Sequence, residues 1–384
     1  MSRAFLVEMK IINAVVYTEN HIFEKRDIYI DGERIAAMPS PGGEVFDAEG
    51  LYAVPAFVDV HLHGAKGADF SDGTEDAIKK IAAYEASRGV LALCPATVMM
   101  EKGRTKEVLS ALNSYRCESG AGIIGVNLEG PFISPHRSGA LDPDLAVPFS
   151  GELFGEFQAA ACGMIKLLDL APECMEDMDD IKKYAGDVNI SVAHTNCDYE
   201  TAAKAFALGA NHLTHCFNAM PGIGHRAPGP VLAAAEAGAY AEIIADGIHL
   251  HPAVLRLAYK LFGDDKVVLI SDSMRATAMP EGVYELGGQE VTVRGGKAVL
   301  AKDENVIAGS VTDLYSCFKK AVEMGVPLES AVRSASENPA KSIGAGKDYG
   351  TLSPGSYANI LLLDRDLNII KIINKGFVTE ANIV

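Results

Sequence analysis

Eight short apolar runs along the middle of the chain constrain its fold more than any other feature. Helix-like amphipathic segments, such as 74–89 and 198–210, separate the runs. This alternation is typical of βα units around a parallel sheet. The runs cover residues 52–64, 90–98, 123–132, 164–173, 188–196, 212–220, 241–250 and 266–274. Eight such strands predict an α/β fold, a closed (β/α)₈ TIM barrel.

The two ends of the chain carry a different pattern. Within residues 1–53, and again within residues 351–384, short apolar and polar stretches alternate and are broken by Gly, Pro and Asn. This pattern is typical of antiparallel β-strands. We expect both ends to build one small β-sandwich (residues 1–53 and 351–384) that flanks a barrel domain of residues 54–350. Residues 284–306, after the eighth run, predict a hairpin-rich insertion.

Composition narrows the classes of function. The chain has 384 residues and a formal net charge of −17, which would repel a polyanion. We therefore expect neither nucleic acid nor an anionic membrane as a partner. No run approaches the roughly 20 apolar residues that span a bilayer, and the N-terminus lacks signal-peptide character, so we expect a cytoplasmic protein. The seven cysteines are scattered and form no CxxC pair, which predicts reduced, mostly buried thiols.

Chemically capable side chains stand at the C-terminal ends of the predicted strands. These ends converge on the active-site face of a TIM barrel. In chain order the residues are His61 and His63 on the first strand, Glu129 on the third, His194 on the fifth, His215 on the sixth, His249 on the seventh and Asp272 on the eighth. We therefore expect these side chains to meet in one site.

Five of these residues have the chemistry of a metal site. His61 and His63 are two residues apart, so on an extended strand they face the same side and can address one ion. Glu129, His194 and His215 supply a carboxylate and two imidazoles, which is a ligand set of the catalytic zinc type. The alternative is that Glu129 caps a helix or a turn and that the histidines pack in the core. Their shared position at strand ends favours the metal site.

Asp272 follows an apolar strand, where an unpaired buried carboxylate would cost several kcal/mol. One interpretation is that it caps the next segment through the Ser-Asp-Ser sequence. The other is a general base that takes a proton from the attacking water and later returns one to the leaving amine. We favour the catalytic role.

A series of motifs runs through the chain in a fixed order. They are VDVHLHG, NLEGPF, LAPE, AHTN, THCFNAM, ADGIHLHP, SDSMRA, AGS and ENPAK. In combination they resemble the N-acetylglucosamine-6-phosphate deacetylases of the amidohydrolase superfamily, over nearly the whole chain. The resemblance implies hydrolysis of N-acetylglucosamine 6-phosphate to glucosamine 6-phosphate and acetate. It also implies a homodimer and a divalent metal, Zn or Fe, bound as one or two ions.

The same resemblance distributes roles among the site residues. Glu129, His194 and His215 would hold one ion, and His61 with His63 would contribute a second site that some family members lack. Asp272 would be the catalytic acid and base. The residues that would bind the small-molecule sugar phosphate are Ala140, Asn218, Ala219, Arg226, His249 and Ile307. Arg226 would reach across a dimer interface, and its guanidinium would supply local positive charge that the acidic chain otherwise lacks.

The chain departs from the family pattern at two positions near the substrate. Leu141 stands where the family usually has a histidine that helps to polarise the acetyl carbonyl, and Ala227 replaces the usual acidic residue after Arg226. A leucine cannot donate a hydrogen bond, so polarisation must fall to the metal, to a second metal or to a nearby group such as His136.

These departures leave other substrates open. One alternative is a deacetylase of N-acetylgalactosamine 6-phosphate, and another is an enzyme that acts on a different N-acyl amino sugar. A catalytically weak paralogue that binds a sugar phosphate is the third alternative. The intact Asp272 argues against it, since a binding module has no need of a proton shuttle.

Overall fold

The computed structural model describes residues 8–40, 42–112, 115 and 120–379. Its centre is a ring of parallel strands in two sheets, one of three strands and one of six. A parallel bridge between Ala96 and Asn127 joins the sheets on one side. On the other side the Asp272 amide donates to the His61 carbonyl over 2.9 Å. The predicted (β/α)₈ barrel is confirmed.

The barrel strands are shorter than the apolar runs that predicted them, because the end of each run turns into the loop at the barrel mouth. The third run forms two pieces with a break at residues 124–125. In chain order the strands are Phe57–Asp59, Val90–Leu93, Gly122–Ile123, Val126–Leu128, Ile165–Leu170, Asn189–Val192, His212–Leu213, Tyr240–Ile244 and Val267–Ile270.

Helices surround the barrel, and local capping explains where several of them begin. The Thr74 hydroxyl accepts from the Ala77 amide, and Asp198 accepts from the Thr201 amide, which are N-caps that satisfy otherwise unpaired donors. The α-helices are Glu75–Ser87, Lys102–Ala111, Gly151–Ala160, Asp179–Tyr184, Tyr199–Leu208, Gly229–Ala237, Pro252–Phe262, Leu314–Glu323, Leu328–Ala335 and Glu337–Ser342. Short 3₁₀ helices are Phe70–Asp72, Pro135–Arg137, Pro143–Leu145 and Pro172–Cys174. Within the described residues, no helix is long and apolar enough to cross a bilayer.

Two further sheets flank the barrel, one built from the N-terminal part alone and one from strands of both ends of the chain. The four-stranded sheet has the order Arg34–Ala36, Ile28–Asp31, Glu8–Ile12, Glu44–Asp47. The six-stranded sheet has the order Phe377–Thr379, Ile369–Asn374, Ile360–Leu363, Tyr52–Pro55, Val15–Tyr17, Phe23–Lys25. Ile11, Ile30 and Leu362 share one buried apolar cluster between them. The domain boundaries near Val54 and Gly350 stay a prediction.

Some of the predicted features fall beyond the described part of the chain. Residues 1–7 and 380–384 of the proposed module, together with Cys117, lie outside it. Of the six cysteines that are described, four are buried, and none forms a disulfide.

An insertion after the eighth barrel strand forms a separate antiparallel sheet. Its strands are Gly282–Leu286, Gln289–Arg294, Lys297–Leu300 and Asp303–Ile307. Leu286 and Val291 pack in one apolar cluster with Met99, Ile133 and Leu141 from the loops above the barrel. The insertion therefore covers part of the barrel mouth. A two-stranded hairpin, Gly64–Ala65 with Ala68–Asp69, follows the first strand.

Candidate metal centre

Four imidazoles from three strand ends surround the carboxylate of Glu129. Its Oε1 lies 3.0 Å from His194 Nε2, 3.4 Å from His215 Nε2 and 3.5 Å from His61 Nε2. Its Oε2 lies 3.3 Å from His63 Nε2. The ligand atoms fall into two overlapping groups that share Glu129, one with His61 and His63 and one with His194 and His215. The structure thus brings together all five predicted metal ligands.

The contacts among these atoms fit a bound cation. His194 Nε2 and His215 Nε2 are 3.0 Å apart and face the same carboxylate oxygen. Among the described residues, His61 Nε2 and Glu129 Oε2 have no hydrogen-bond partner although both are buried. A buried polar atom left unpaired costs about 1–3 kcal/mol. A divalent ion that accepts these lone pairs removes that cost, and imidazole with carboxylate suits zinc or iron.

The backbone at three of the strand ends is held in an unusual conformation. His194, His215 and Asp272 have φ values of +40°, +27° and +48°. This left-handed region costs a non-glycine residue about 1–2 kcal/mol. Strain of this kind persists where the surrounding structure over-determines the backbone, as at active sites. At Asp272 the constraint is visible, since its carbonyl accepts from Ser310 N over 2.7 Å.

The Asp272 carboxylate faces the histidines of the first strand. Its Oδ1 lies 3.2 Å from His63 Nε2 and 3.8 Å from His61 Nε2. Burial alone would raise the pKa of Asp272, but the hydrogen bond to His63 and the nearby imidazoles lower it, so the carboxylate is ionised. Gly309 passes so close that an added Cβ would lie 3.0 Å from the Asp272 carbonyl oxygen. Turns, and no helix, follow Asp272, so its side chain does not cap a helix.

A cavity of about 400 Å³ opens beside these residues. Its walls include five of the six residues predicted to bind substrate, namely Ala140, Asn218, Ala219, His249 and Ile307. The remaining walls are His63, Glu129, Arg137, Gly139, Leu141, His194, His215, Asp272, Leu286, Asn305, Val306 and Gly309. The sixth predicted residue, Arg226, is exposed and lies outside this lining.

A family model described as the amidohydrolase family matches residues 52–381. The chain belongs to the amidohydrolase family. The matched region spans the whole barrel and the three C-terminal strands of the six-stranded flanking sheet, and it contains every residue of the cluster around Glu129. The prediction that the protein is an amidohydrolase is confirmed, and this family is metal-dependent.

Within the amidohydrolases, the chain is similar to several deacetylases of amino-sugar 6-phosphates. An N-acetylglucosamine-6-phosphate deacetylase of Bacillus subtilis is 32% identical, and the match covers 94% of both chains. An N-acetylgalactosamine-6-phosphate deacetylase of Escherichia coli O157:H7 is 31% identical over 94% of this chain and 96% of its own. A Mycobacterium smegmatis N-acetyl-D-glucosamine-6-phosphate deacetylase mutant, solved in complex with N-acetyl-D-glucosamine-6-phosphate, superposes with a TM-score of 0.89. It is 31% identical, and the match covers 97% of this chain and 99% of that one. The predicted resemblance to these deacetylases is confirmed.

Two residues of this amidohydrolase site were missed by the sequence analysis. Glu242 is fully buried beneath the cluster, where its Oε2 accepts from His61 Nδ1 over 2.9 Å. Arg137 accepts from His194 Nδ1 over 2.9 Å through its carbonyl, while its side chain lines the cavity. A signal existed for Glu242, because a carboxylate inside the apolar run 241–250 needs a partner just as Asp272 does. Arg137 lies in a loop with no spacing pattern to mark it.

The two departures from the family pattern have different structural settings in this amidohydrolase. Leu141 is buried, packs with Leu286 in the apolar cluster under the insertion and forms part of the cavity wall. His136, the other donor near this position in the sequence, is exposed and does not line the cavity. Ala227 lies beside Arg226 on an exposed loop. The cavity wall at Leu141 therefore offers a substrate carbonyl no side-chain donor.

Proposed function

We propose that this amidohydrolase removes the acetyl group of N-acetylglucosamine 6-phosphate, giving glucosamine 6-phosphate and acetate. The observation that carries the proposal is the cluster around Glu129 with Asp272 at its edge, opening into a cavity of about 400 Å³. Such a volume is in the range of small-molecule sites, roughly 300–1,000 Å³. A similar protein that bears this activity in its name, 32% identical over a match that covers 94% of this chain, supports the substrate.

Glu129, His194 and His215 would hold a divalent ion, which would supply Lewis acidity to polarise the amide carbonyl and to acidify water. Asp272 Oδ1 takes the proton of the attacking water as the tetrahedral carbon forms. The same oxygen then donates that proton to the amine nitrogen, so that the C–N bond breaks and acetate leaves. An ionised Asp272 is ready for the first of these steps, and its position within 3.2 Å of His63 keeps it at the cluster.

The sugar phosphate is recognised by groups at the cavity wall. Asp246 Oδ2 lies 2.8 Å from His249 Nδ1, which leaves His249 Nε2 for the substrate. The backbone at Asn218 and Ala219 and the side chain of Ile307 complete the binding surface that we propose.

Arg226 is proposed to serve the neighbouring subunit of a homodimer. Its side chain is exposed and lies outside the cavity of its own chain, which supports a role in trans. The ion is proposed to be zinc or iron, with one or two bound per chain. The cytoplasm is the proposed compartment, because a sugar phosphate that carries two negative charges does not cross a bilayer unaided.

N-acetylgalactosamine 6-phosphate is the second candidate substrate. A relative named for that activity is 31% identical over 94% of the chain, so identity alone does not separate the two epimers. Leu141 in the cavity wall favours altered specificity, which also leaves another N-acyl amino sugar or a weakly active sugar-phosphate binder as outcomes of the test.

The test is acetate release from both 6-phosphates in parallel, with the metal content of the same sample quantified. N-acetylglucosamine without phosphate is the control for phosphate recognition. Turnover of the gluco epimer at a kcat/KM above that of the galacto epimer supports the proposal. A higher kcat/KM for the galacto epimer would identify N-acetylgalactosamine 6-phosphate as the substrate. Binding of either phosphate without acetate release, in metal-loaded protein, refutes deacetylation.

A further inference from the structure

Glu242 is a buried carboxylate that contacts one residue of each ligand group. It lies on the strand Tyr240–Ile244 and is fully buried. Its Oε2 is 2.9 Å from His61 Nδ1 and accepts from the His215 backbone amide over 3.1 Å. It therefore contacts one residue of each ligand group without facing the cavity itself.

The contact with Glu242 decides which nitrogen of His61 carries the proton. A carboxylate can only accept, so His61 Nδ1 donates, and the neutral ring that binds an ion then has its lone pair on Nε2. The Asn127 amide nitrogen is also near Nδ1, but at 3.4 Å, and the shorter contact to a carboxylate outweighs it. His61 Nε2 lies 3.5 Å from Glu129 Oε1. Glu242 thus keeps His61 in the tautomer that can bind an ion.

The two ligand groups are oriented by different partners. In the group with Glu129 and His215, His194 is held by a hydrogen bond from its Nδ1 to the Arg137 carbonyl. In the other group, His63 Nδ1 has no hydrogen-bond partner among the residues that the structure describes. The hydrogen bond from His61 to Glu242 is therefore the contact that orients a histidine ring in this group.

The balance of charge at the cluster also favours a role for Glu242 in binding a second ion. Two divalent ions at the cluster would share one carboxylate, Glu129, with Asp272 beside them, because the other ligands are imidazoles, which bring no negative charge. Repulsion between the ions must be offset by negative charge close by, in a region that water does not screen. Glu242 supplies such a charge directly behind the His61 ring.

We propose that Glu242 is a positioning residue that enables a second divalent ion to bind between His61, His63 and Glu129, beside the one held by Glu129, His194 and His215. The inference rests on the proposed metal-dependent hydrolysis for the role of the ions, but its test is made without substrate. Partners in this position behind metal-bound histidines change metal affinity by about 10–100-fold in other proteins.

The test compares zinc binding to the whole wild-type chain, Glu242→Gln and the control Asp169→Asn. Gln keeps a neutral acceptor for His61 and removes the charge. Asp169 is a buried acidic side chain on the barrel strand Ile165–Leu170 that accepts from the Thr214 hydroxyl over 2.9 Å. None of the described hydrogen bonds or ion pairs joins it to a metal ligand. Bound zinc per chain is measured by mass spectrometry in buffers of fixed free zinc, and thermal unfolding of the metal-free proteins reports on folding.

We expect two zinc ions per wild-type chain and per Asp169→Asn chain. In Glu242→Gln the affinity of the weaker site should fall about 10–100-fold, with the tighter site unchanged and the second ion regained at high free zinc. One ion in the wild type overturns the proposal, as does equal binding of both ions by Glu242→Gln. If Glu242→Gln loses both ions together and is less thermally stable, the proposal is also overturned, because that result would indicate a purely structural role for Glu242. These binding measurements use no substrate, so they do not depend on whether the proposed substrate is correct.

Discussion

Replacing Asp272 by Asn is the most direct test of the proposed chemistry. The change removes the proton acceptor while preserving the size of the side chain. Glu129, His194 and His215 are untouched, and an amide oxygen can still face His63 across the present 3.2 Å. The variant should therefore keep its more tightly bound ion.

The expected effect on turnover follows from the role of Asp272 Oδ1 in both proton transfers. Loss of a general acid or base reduces rates by about 10²–10⁴-fold. At 1.36 kcal/mol per factor of ten, this is about 3–5 kcal/mol of transition-state stabilisation. Because Asp272 serves in both proton transfers and lines the cavity beside His63, we expect the upper half of that range.

The assay is kcat for acetate release at saturating substrate, with zinc content measured on the same preparation. Asp169→Asn is the matched control, because burial, followed by the charge of Glu242, raises the pKa of Asp169 well above its usual range. This shift favours the neutral form of the carboxyl, which Asn matches in charge, so the replacement should change kcat less than tenfold. A metal-loaded Asp272→Asn enzyme within tenfold of the wild-type rate would remove Asp272 from the mechanism.

Three further outcomes test other parts of the structure. Among the described residues that line the cavity, Arg137 is the one permanent cation, and a hydrogen bond from a charged group contributes about 1.5–3 kcal/mol. Arg137→Ala should therefore lower kcat/KM about 10–100-fold for the 6-phosphate, and an equal loss on N-acetylglucosamine would contradict phosphate recognition. Glu85 is buried without a described hydrogen-bond partner, and burial, reinforced by Asp313 and Asp59, raises its pKa well above 4.5. Since the folded state keeps a proton that the unfolded chain releases, stability should fall by about 1.4 kcal/mol per pH unit above pH 4.5 until the folded pKa is passed. Glu85→Gln should abolish that slope in urea unfolding, and an unchanged slope would assign it to another group. Removal of zinc by a chelator should lower the thermal unfolding temperature, since free ion at about 1,000 times its Kd stabilises by about 4 kcal/mol; identical unfolding curves with and without chelator would contradict a metal bound only by the folded state.

Much of the architecture was readable from local pattern. The apolar runs predicted the barrel strands, and the amphipathic segments 74–89 and 198–210 predicted the helices Glu75–Ser87 and Tyr199–Leu208, because periodicity is a property of neighbouring residues. The convergence of His61, Glu129 and His215 was also predictable, since the C-terminal ends of parallel barrel strands meet on one face whatever the intervening sequence.

Other parts of the site depend on contacts between residues far apart in the chain. Ile307 reaches the cavity from an insertion whose packing on the barrel mouth no periodicity describes. The resemblance implied a substrate contact for Arg226, yet the folded chain leaves that side chain outside its own cavity.

Glu242 illustrates the same division between sequence and structure. A charged residue inside an apolar strand indicates that a partner must exist, because an unpaired buried carboxylate is costly. The sequence does not say which partner, since His61 is 181 positions away. Only closure of the barrel brings the two side chains within 2.9 Å. The chain by itself therefore determined the barrel and the ligand types, while the tertiary structure decided which side chains orient those ligands and which of them face the substrate.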